Sequence, residues 1–107
     1  MIYKFKSKAA GDLIMLGPNG DALMRTLGRQ PASQGIIEVA DMAAAIGAIR
    51  AAVAADEALQ AQAQADASAR GQTLPARQGV APRQRMWPML EMMGRAQAAQ
   101  EPIVWGV

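Results

Sequence analysis

The chain has 107 residues, a length typical of a single domain. It contains no histidine and no cysteine, which excludes disulfides, thiolate and imidazole metal sites, cysteine nucleophiles and histidine acid–base catalysis. The formal net charge is only +2, and 24 of the apolar residues are alanines, so the composition predicts a thin but real core.

The sequence predicts a cytoplasmic protein that has no membrane segment. No apolar run approaches the roughly 18 residues that are needed to span a bilayer. No apolar stretch of signal-peptide length directly follows the first residues, and the lack of cysteine is consistent with this location. We expect no bound cofactor and no metal.

The first six residues alternate in the way that is typical of a half-buried strand. Tyr3 and Phe5 would face the core, and Ile2, Lys4 and Lys6 would face the opposite side.

Residues 9–28 are compatible with two arrangements. The favoured one is a short helix that Asp12 caps and that runs through Leu13–Leu16, an interruption at Gly17–Gly20, and a second helix from Asp21 to Gly28. The alternative makes Leu13–Leu16 the second strand of a hairpin.

One helix is indicated clearly in the middle of the chain. Residues 35–39 contain three β-branched residues and predict a strand or an extended link, and Asp41 then resembles an N-cap. A single apolar stripe predicts a packed helix from 42 to about 60; it consists of Met42, Ile46, Ile49 and Val53. Residues 60–70 are predicted to form an extension that projects or frays, and 71–82 to form a flexible linker.

The C-terminal part predicts a last helix and a last strand. The helix contains Pro88 in its first turn and runs to about Gln100. Residues 102–107 predict a closing strand that could pair with residues 1–6. Trp105 either fills the core, which is the favoured interpretation, or lies exposed as an anchor. Together these elements predict one α+β domain over residues 1–107, in which two or three strands, including both termini, pack against three or four helices.

A Gly-x-x-Gly motif and several basic residues make up a candidate nucleic-acid surface. Gly17-Pro18-Asn19-Gly20, placed between two helices, would resemble the loop with which KH domains clamp a backbone. An ordinary turn is the favoured interpretation, because the motif has no basic residue and Asp21 follows it. Basic residues at both ends of the chain could add phosphate contacts, with Tyr3 and Trp87 for stacking: Lys4, Lys6, Lys8, Arg83 and Arg85. Solvated charge is the favoured interpretation, since the net charge is small.

The methionines of the last helix allow three interpretations, one of which is a thioether copper site at Met86, Met89, Met92 and Met93 that no histidine or cysteine supports. Met86, Met89 and Met93 recur at helical spacing, which favours packing in the core. Together with Trp87 they could instead form an adaptable groove for a protein partner.

The sequence offers no convincing catalytic set. Asp12 and Asp21 are placed where helix caps belong, and Glu91 lies where it could favour the helix dipole or pair with Arg95. We therefore predict a non-catalytic protein-interaction module that associates with itself or with another protein. The alternatives are a weak single-stranded nucleic-acid binder and, third, an enzyme built on carboxylates.

The order of several short segments resembles a bacterial family called domain of unknown function 1840. The segments are the opening strand, Gly11–Gly17, Leu27-Gly28, Ala44–Ile46, Arg85–Glu91 and Ile103–Trp105. The resemblance covers residues 1–56 and 82–107. It implies a free-standing cytoplasmic domain that tolerates variation in the middle segment, and it implies no functional residue.

Overall fold

Four strands and three helices form an α+β domain. A computed structural model describes residues 2–75 and 80–107. In chain order the elements are β1 (Ile2–Ser7), β2 (Ala10–Leu16), α1 (Gly17–Thr26), β3 (Gly35–Ile37), α2 (Val39–Ala69), α3 (Pro82–Ala99) and β4 (Ile103–Trp105). The predicted class is confirmed, with one strand more than the two or three expected. The predicted linker, 71–82, includes residues 76–79, which lie outside the described residues.

The sheet joins the two ends of the chain. Its strand order is β2-β1-β4-β3, and all neighbours are antiparallel. Phe5 of β1 lies opposite Trp105 of β4, so the predicted pairing of the termini is confirmed. The Phe5 and Trp105 rings meet edge to face, and the Trp105 indole N–H donates to the Ala32 carbonyl at 3.1 Å.

The favoured helix through Leu13–Leu16 is wrong, and the hairpin alternative is right. Residues 10–16 form β2, in which Tyr3 lies opposite Met15 and Ile2 opposite Leu16. Met15 is buried whereas Ile14 is exposed, so the strand has the expected period of two. Apolar side chains on both faces conceal this period in the sequence.

Gly17–Gly20 is the first turn of α1 and not a loop between two helices. The helix begins directly after Leu16, and Pro18 occupies its first turn, where no N–H is needed. Gly20 is buried against the Tyr3 ring, and any Cβ at this position would overlap that ring. The motif therefore allows the close approach of a helix to β1.

Helix α2 has 31 residues and extends beyond the core. Its predicted stripe is confirmed, since Met42, Ile49 and Val53 are buried and Ile46 is half-buried. It begins at Val39 after Glu38, so Asp41 lies in its first turn and is not the cap. The side chains of 61–66 are exposed, as expected of a projecting extension, but Ala67 is buried, so the predicted extension over 60–70 is confirmed only in part.

Helix α3 begins earlier than the expected first turn around Pro88. Pro82 is its first residue, and Pro88 lies in its interior. Pro88 has no N–H to donate to the carbonyl four residues before it. The helix nevertheless continues, because Met86 and Met89 on either side of Pro88 are buried in the core.

Candidate interaction surface

The helices cover one face of the sheet, and the described residues leave the other face uncovered. Tyr3 and Phe5 point into the core, whereas their neighbours along β1 point away from it. We call the uncovered side the outer face. It carries Ile2, Lys4, Lys6, Asp12, Ile14, Leu16, Ile36 and Val104.

Three branched side chains cluster at one corner of the outer face. Ile2 and Leu16 lie opposite each other on β1 and β2, and Ile14 follows on the same side of β2. They are 64%, 63% and 61% exposed, respectively. The solvent face of an antiparallel sheet is usually polar, so this apolar corner is unusual and indicates contact with a partner.

The charges of the outer face are few and partly paired. Lys4 lies opposite Ile14, and its Nζ is 3.6 Å from a carboxylate oxygen of Asp12. Both side chains are about half exposed, so the pair contributes little to folding. Lys6 and Lys8 line a shallow depression of about 490 Å³ together with Glu101 and Val104. A modest positive charge therefore surrounds an apolar surface.

The two edge strands of the sheet, β3 and β2, differ in length and in how far their outer backbone groups are hydrogen-bonded. β3 is three residues long, and Arg29 Nη1 donates to the Ile36 carbonyl at 2.6 Å, which occupies part of that edge. β2 is seven residues long, and within the described chain the backbone groups on its outer edge make no hydrogen bond. It contains no lysine and no proline, the residues that usually protect an edge strand.

A narrow cleft separates the start of β2 from α3. It has a volume of about 160 Å³ and is lined by Ala10–Leu13, Pro88, Glu91, Met92 and Arg95. We call it the edge cleft. Neither Glu91 nor Arg95 forms an ion pair or a side-chain hydrogen bond with any described residue, although they are four residues apart on α3.

The residues predicted to contact nucleic acid lie on opposite sides of the sheet. Lys4 and Lys6 belong to the outer face and Lys8 to the β1–β2 turn. Gly17, Asn19 and Gly20 belong to α1, and Arg83 and Arg85 to α3, on the helical side. The described chain therefore does not bring these residues together on one surface.

Tyr3, considered for base stacking, is a core residue. It is 2% exposed, stacks on Phe5 and donates its hydroxyl proton to Asp21 at 2.6 Å. Burial, with a further contribution from the hydrogen bond to Asp21, raises the pKa of Tyr3 to about 12. The phenol therefore stays protonated and serves as a structural donor.

Trp87 is exposed beside a groove between α2 and α3. The groove has a volume of about 290 Å³ and is lined by Arg50, Val53, Arg83, Trp87 and Leu90. Arg83 binds Glu57 through two hydrogen bonds of 2.7 and 2.9 Å, and this bond lowers the pKa of the Glu57 carboxyl. Arg83 is thus engaged within the domain.

The three predicted methionines are buried. Met86, Met89 and Met93 belong to the core, as the favoured interpretation required, and of the proposed partner-binding residues only Trp87 is exposed. Since a partner contacts the surface, Trp87 is the one member of that set that is accessible in this conformation.

Two of the three candidate carboxylates line one cleft, and the third lies elsewhere. Asp21 lies on α1 and is bonded to Tyr3, whereas Asp12 and Glu91 line the edge cleft. That cleft is smaller than the roughly 300–1,000 Å³ of typical ligand sites.

Comparison with known proteins decides the relationship. The model of a family described as domain of unknown function DUF1840 matches residues 1–105. The chain belongs to the DUF1840 family. The match also includes residues 57–81, so the relationship extends through the middle segment that the resemblance omitted. No curated protein and no solved structure matches the chain.

Sequence reasoning missed the apolar corner of this DUF1840 domain. Ile14 and Leu16 were assigned to a helix, and Ile2 was not proposed for any contact. The sequence does contain a signal for this corner, namely the alternation of Tyr3 and Phe5 with polar residues in β1. A strand that pairs with β1 must likewise expose every second residue. In the described part of the DUF1840 domain, no helix is long and apolar enough to cross a membrane.

Proposed function

We propose that the DUF1840 domain is a non-catalytic protein-interaction module that self-associates at the β2 side of its sheet, where the apolar corner of the outer face lies. The observation that carries the proposal is the apolar corner formed by Ile2, Ile14 and Leu16. These three branched side chains are each more than half exposed, so the free energy falls when a partner removes them from water.

The size of this corner supports a weak association. Full burial of one such side chain contributes about 1.5–3 kcal/mol, and association costs at least about 4 kcal/mol in lost rigid-body freedom. Contact between two corners covers their six side chains only in part, so the gain exceeds the cost by a few kcal/mol at most. We therefore expect a concentration-dependent dimer and not a permanent one.

The residue types of the sequence and the small size of the edge cleft support a non-catalytic role. The sequence has no histidine or cysteine, and the carboxylates that line the edge cleft face a space of only about 160 Å³. Nucleic-acid binding has less support than self-association, because its proposed contacts lie on two sides of the sheet.

Sedimentation velocity over a wide concentration range tests the proposal. Ile14→Lys places a charge in the apolar corner and should weaken self-association at least tenfold, since a lysine buried there has no partner. Leu59→Lys is the matched control: Leu59 is 73% exposed on α2, away from the sheet, and its replacement should leave the association unchanged.

Two results would contradict the proposal. One is a protein that stays monomeric at millimolar concentration. The other is an association that Ile14→Lys and Leu59→Lys change equally. Circular dichroism of each variant verifies that the fold is retained.

A further inference from the structure

The manner of self-association can be inferred from the edges of the sheet. A β-sheet that ends in a strand with free N–H and C=O groups is a template for another strand. Here β3 is short and its Ile36 carbonyl is bonded to Arg29, whereas β2 has seven residues and an open outer edge. Among the described strands, β2 alone thus offers an edge without backbone hydrogen bonds to any described residue.

We infer that two copies of this chain pair β2 with β2 in antiparallel fashion about a two-fold axis, which forms one continuous eight-stranded sheet. This inference rests on the proposed self-association and specifies its geometry. In such a pair each copy satisfies the open edge of the other, and the order of strands is symmetric about the axis.

The charges beside β2 favour a second copy over a foreign strand. Asp12 is the only charged residue of β2, and Lys4 of the same chain already pairs with it, so two edges approach without unpaired like charges. Glu91 and Arg95 line the edge cleft without partners in the described chain. A two-fold axis brings Glu91 of one copy toward Arg95 of the other, so this pair of residues is self-complementary.

The apolar corner fits the same geometry. Ile14 and Leu16 lie on β2 itself, and Ile2 is directly opposite Leu16. Edge pairing makes the two corners contiguous on one face of the larger sheet, where their side chains contact across the new strand pair. Stacking of two outer faces would instead centre the contact on β1 and β4, where Lys6 lies opposite Val104.

Disulfide trapping distinguishes these geometries, because the natural chain has no cysteine. Single variants Asp12→Cys, Ile14→Cys and Leu16→Cys are oxidised alone and in mixed pairs, with Val104→Cys and Ile36→Cys as matched controls on the same face. Edge pairing predicts efficient cross-linking within the β2 set and at most a fifth of that yield at the two controls. Efficient cross-linking at Val104, or none in the β2 set while the protein still dimerises, would overturn the inference and leave self-association itself standing.

Charge reversal provides a second test that does not depend on oxidation. Glu91→Arg and Arg95→Glu should each weaken the dimer about five- to tenfold, because each places like charges across the axis. The double variant Glu91→Arg/Arg95→Glu should restore the wild-type dissociation constant within about twofold. Additive weakening in the double variant would show that these residues do not face each other. A monomeric wild-type protein would instead refute the proposed function itself.

Discussion

The contact between Gly20 and Tyr3 shows how single residues determine the arrangement of the elements. Gly20 occupies a helix, where glycine is unfavourable by about 1 kcal/mol relative to alanine. The Tyr3 ring lies directly against it, and the Tyr3 hydroxyl reaches Asp21, the next residue of the same helix. One tyrosine thus attaches α1 to the first strand through packing and a hydrogen bond.

Replacement of Gly20 by alanine should therefore destabilise the domain. Relief of the glycine penalty gains about 1 kcal/mol, but displacement of the Tyr3 ring costs about 1–3 kcal/mol and weakens the bond to Asp21. We expect a net loss of about 1–2 kcal/mol in the free energy of unfolding, measured by urea denaturation. Gly47→Ala is the control: this glycine lies in α2 with open space around its Cα, so alanine should stabilise by about 0.5–1 kcal/mol. Equal effects of the two changes would contradict the packing argument.

At the scale of the elements, a strand or helix is predictable from the sequence when one of its faces is apolar and the other is polar. β1 alternates aromatic residues with lysines, and α2 has one apolar stripe among alanines, so both are evident. β2 is hidden because Leu13–Leu16 are all apolar, two facing the core and two facing the outer face. The candidate surface was missed for the same reason, since its exposure follows from the pairing of β2 with β1 and not from local composition.

Pro88 also could not be placed by local rules. A proline normally marks the first turn of a helix, yet here the helix starts six residues earlier, because Met86 is buried and holds the preceding turn against the core. Tertiary packing offsets the local cost of the missing hydrogen bond.

Pro88→Ala should consequently stabilise α3. The alanine restores a hydrogen bond to the Gln84 carbonyl and removes the clash of the ring, and we expect a gain of about 1–3 kcal/mol, seen as a higher Tm in thermal unfolding. Pro82→Ala is the control, because Pro82 is the first residue of α3, where an N–H has no partner within the helix. A lower Tm for Pro88→Ala would mean that the core requires a bend at this position.

At the scale of the whole molecule, the dimer that we infer would have edges of its own. The inferred strand order is β3-β4-β1-β2-β2-β1-β4-β3, so the two β3 strands end the eight-stranded sheet. Each has only three residues, and Arg29 donates to the Ile36 carbonyl at this edge. We therefore expect the inferred assembly to close at two copies, since its outer edges are short and partly occupied.

Removal of Arg29 should open the assembly to further growth. Arg29→Ala frees the Ile36 carbonyl, and dimers should then associate through β3 with a dissociation constant on the order of 1 mM, because three residues supply few hydrogen bonds of about 0.5–1.5 kcal/mol each. Sedimentation equilibrium at high concentration should give a weight-average mass above that of the dimer, whereas Arg25→Ala, an exposed change on α1, should not. Combining Arg29→Ala with Ile14→Lys, which weakens the β2 pairing, should lower the weight-average mass below that of Arg29→Ala alone. A mass for Arg29→Ala that never exceeds the dimer would show that β3 is protected by its length alone.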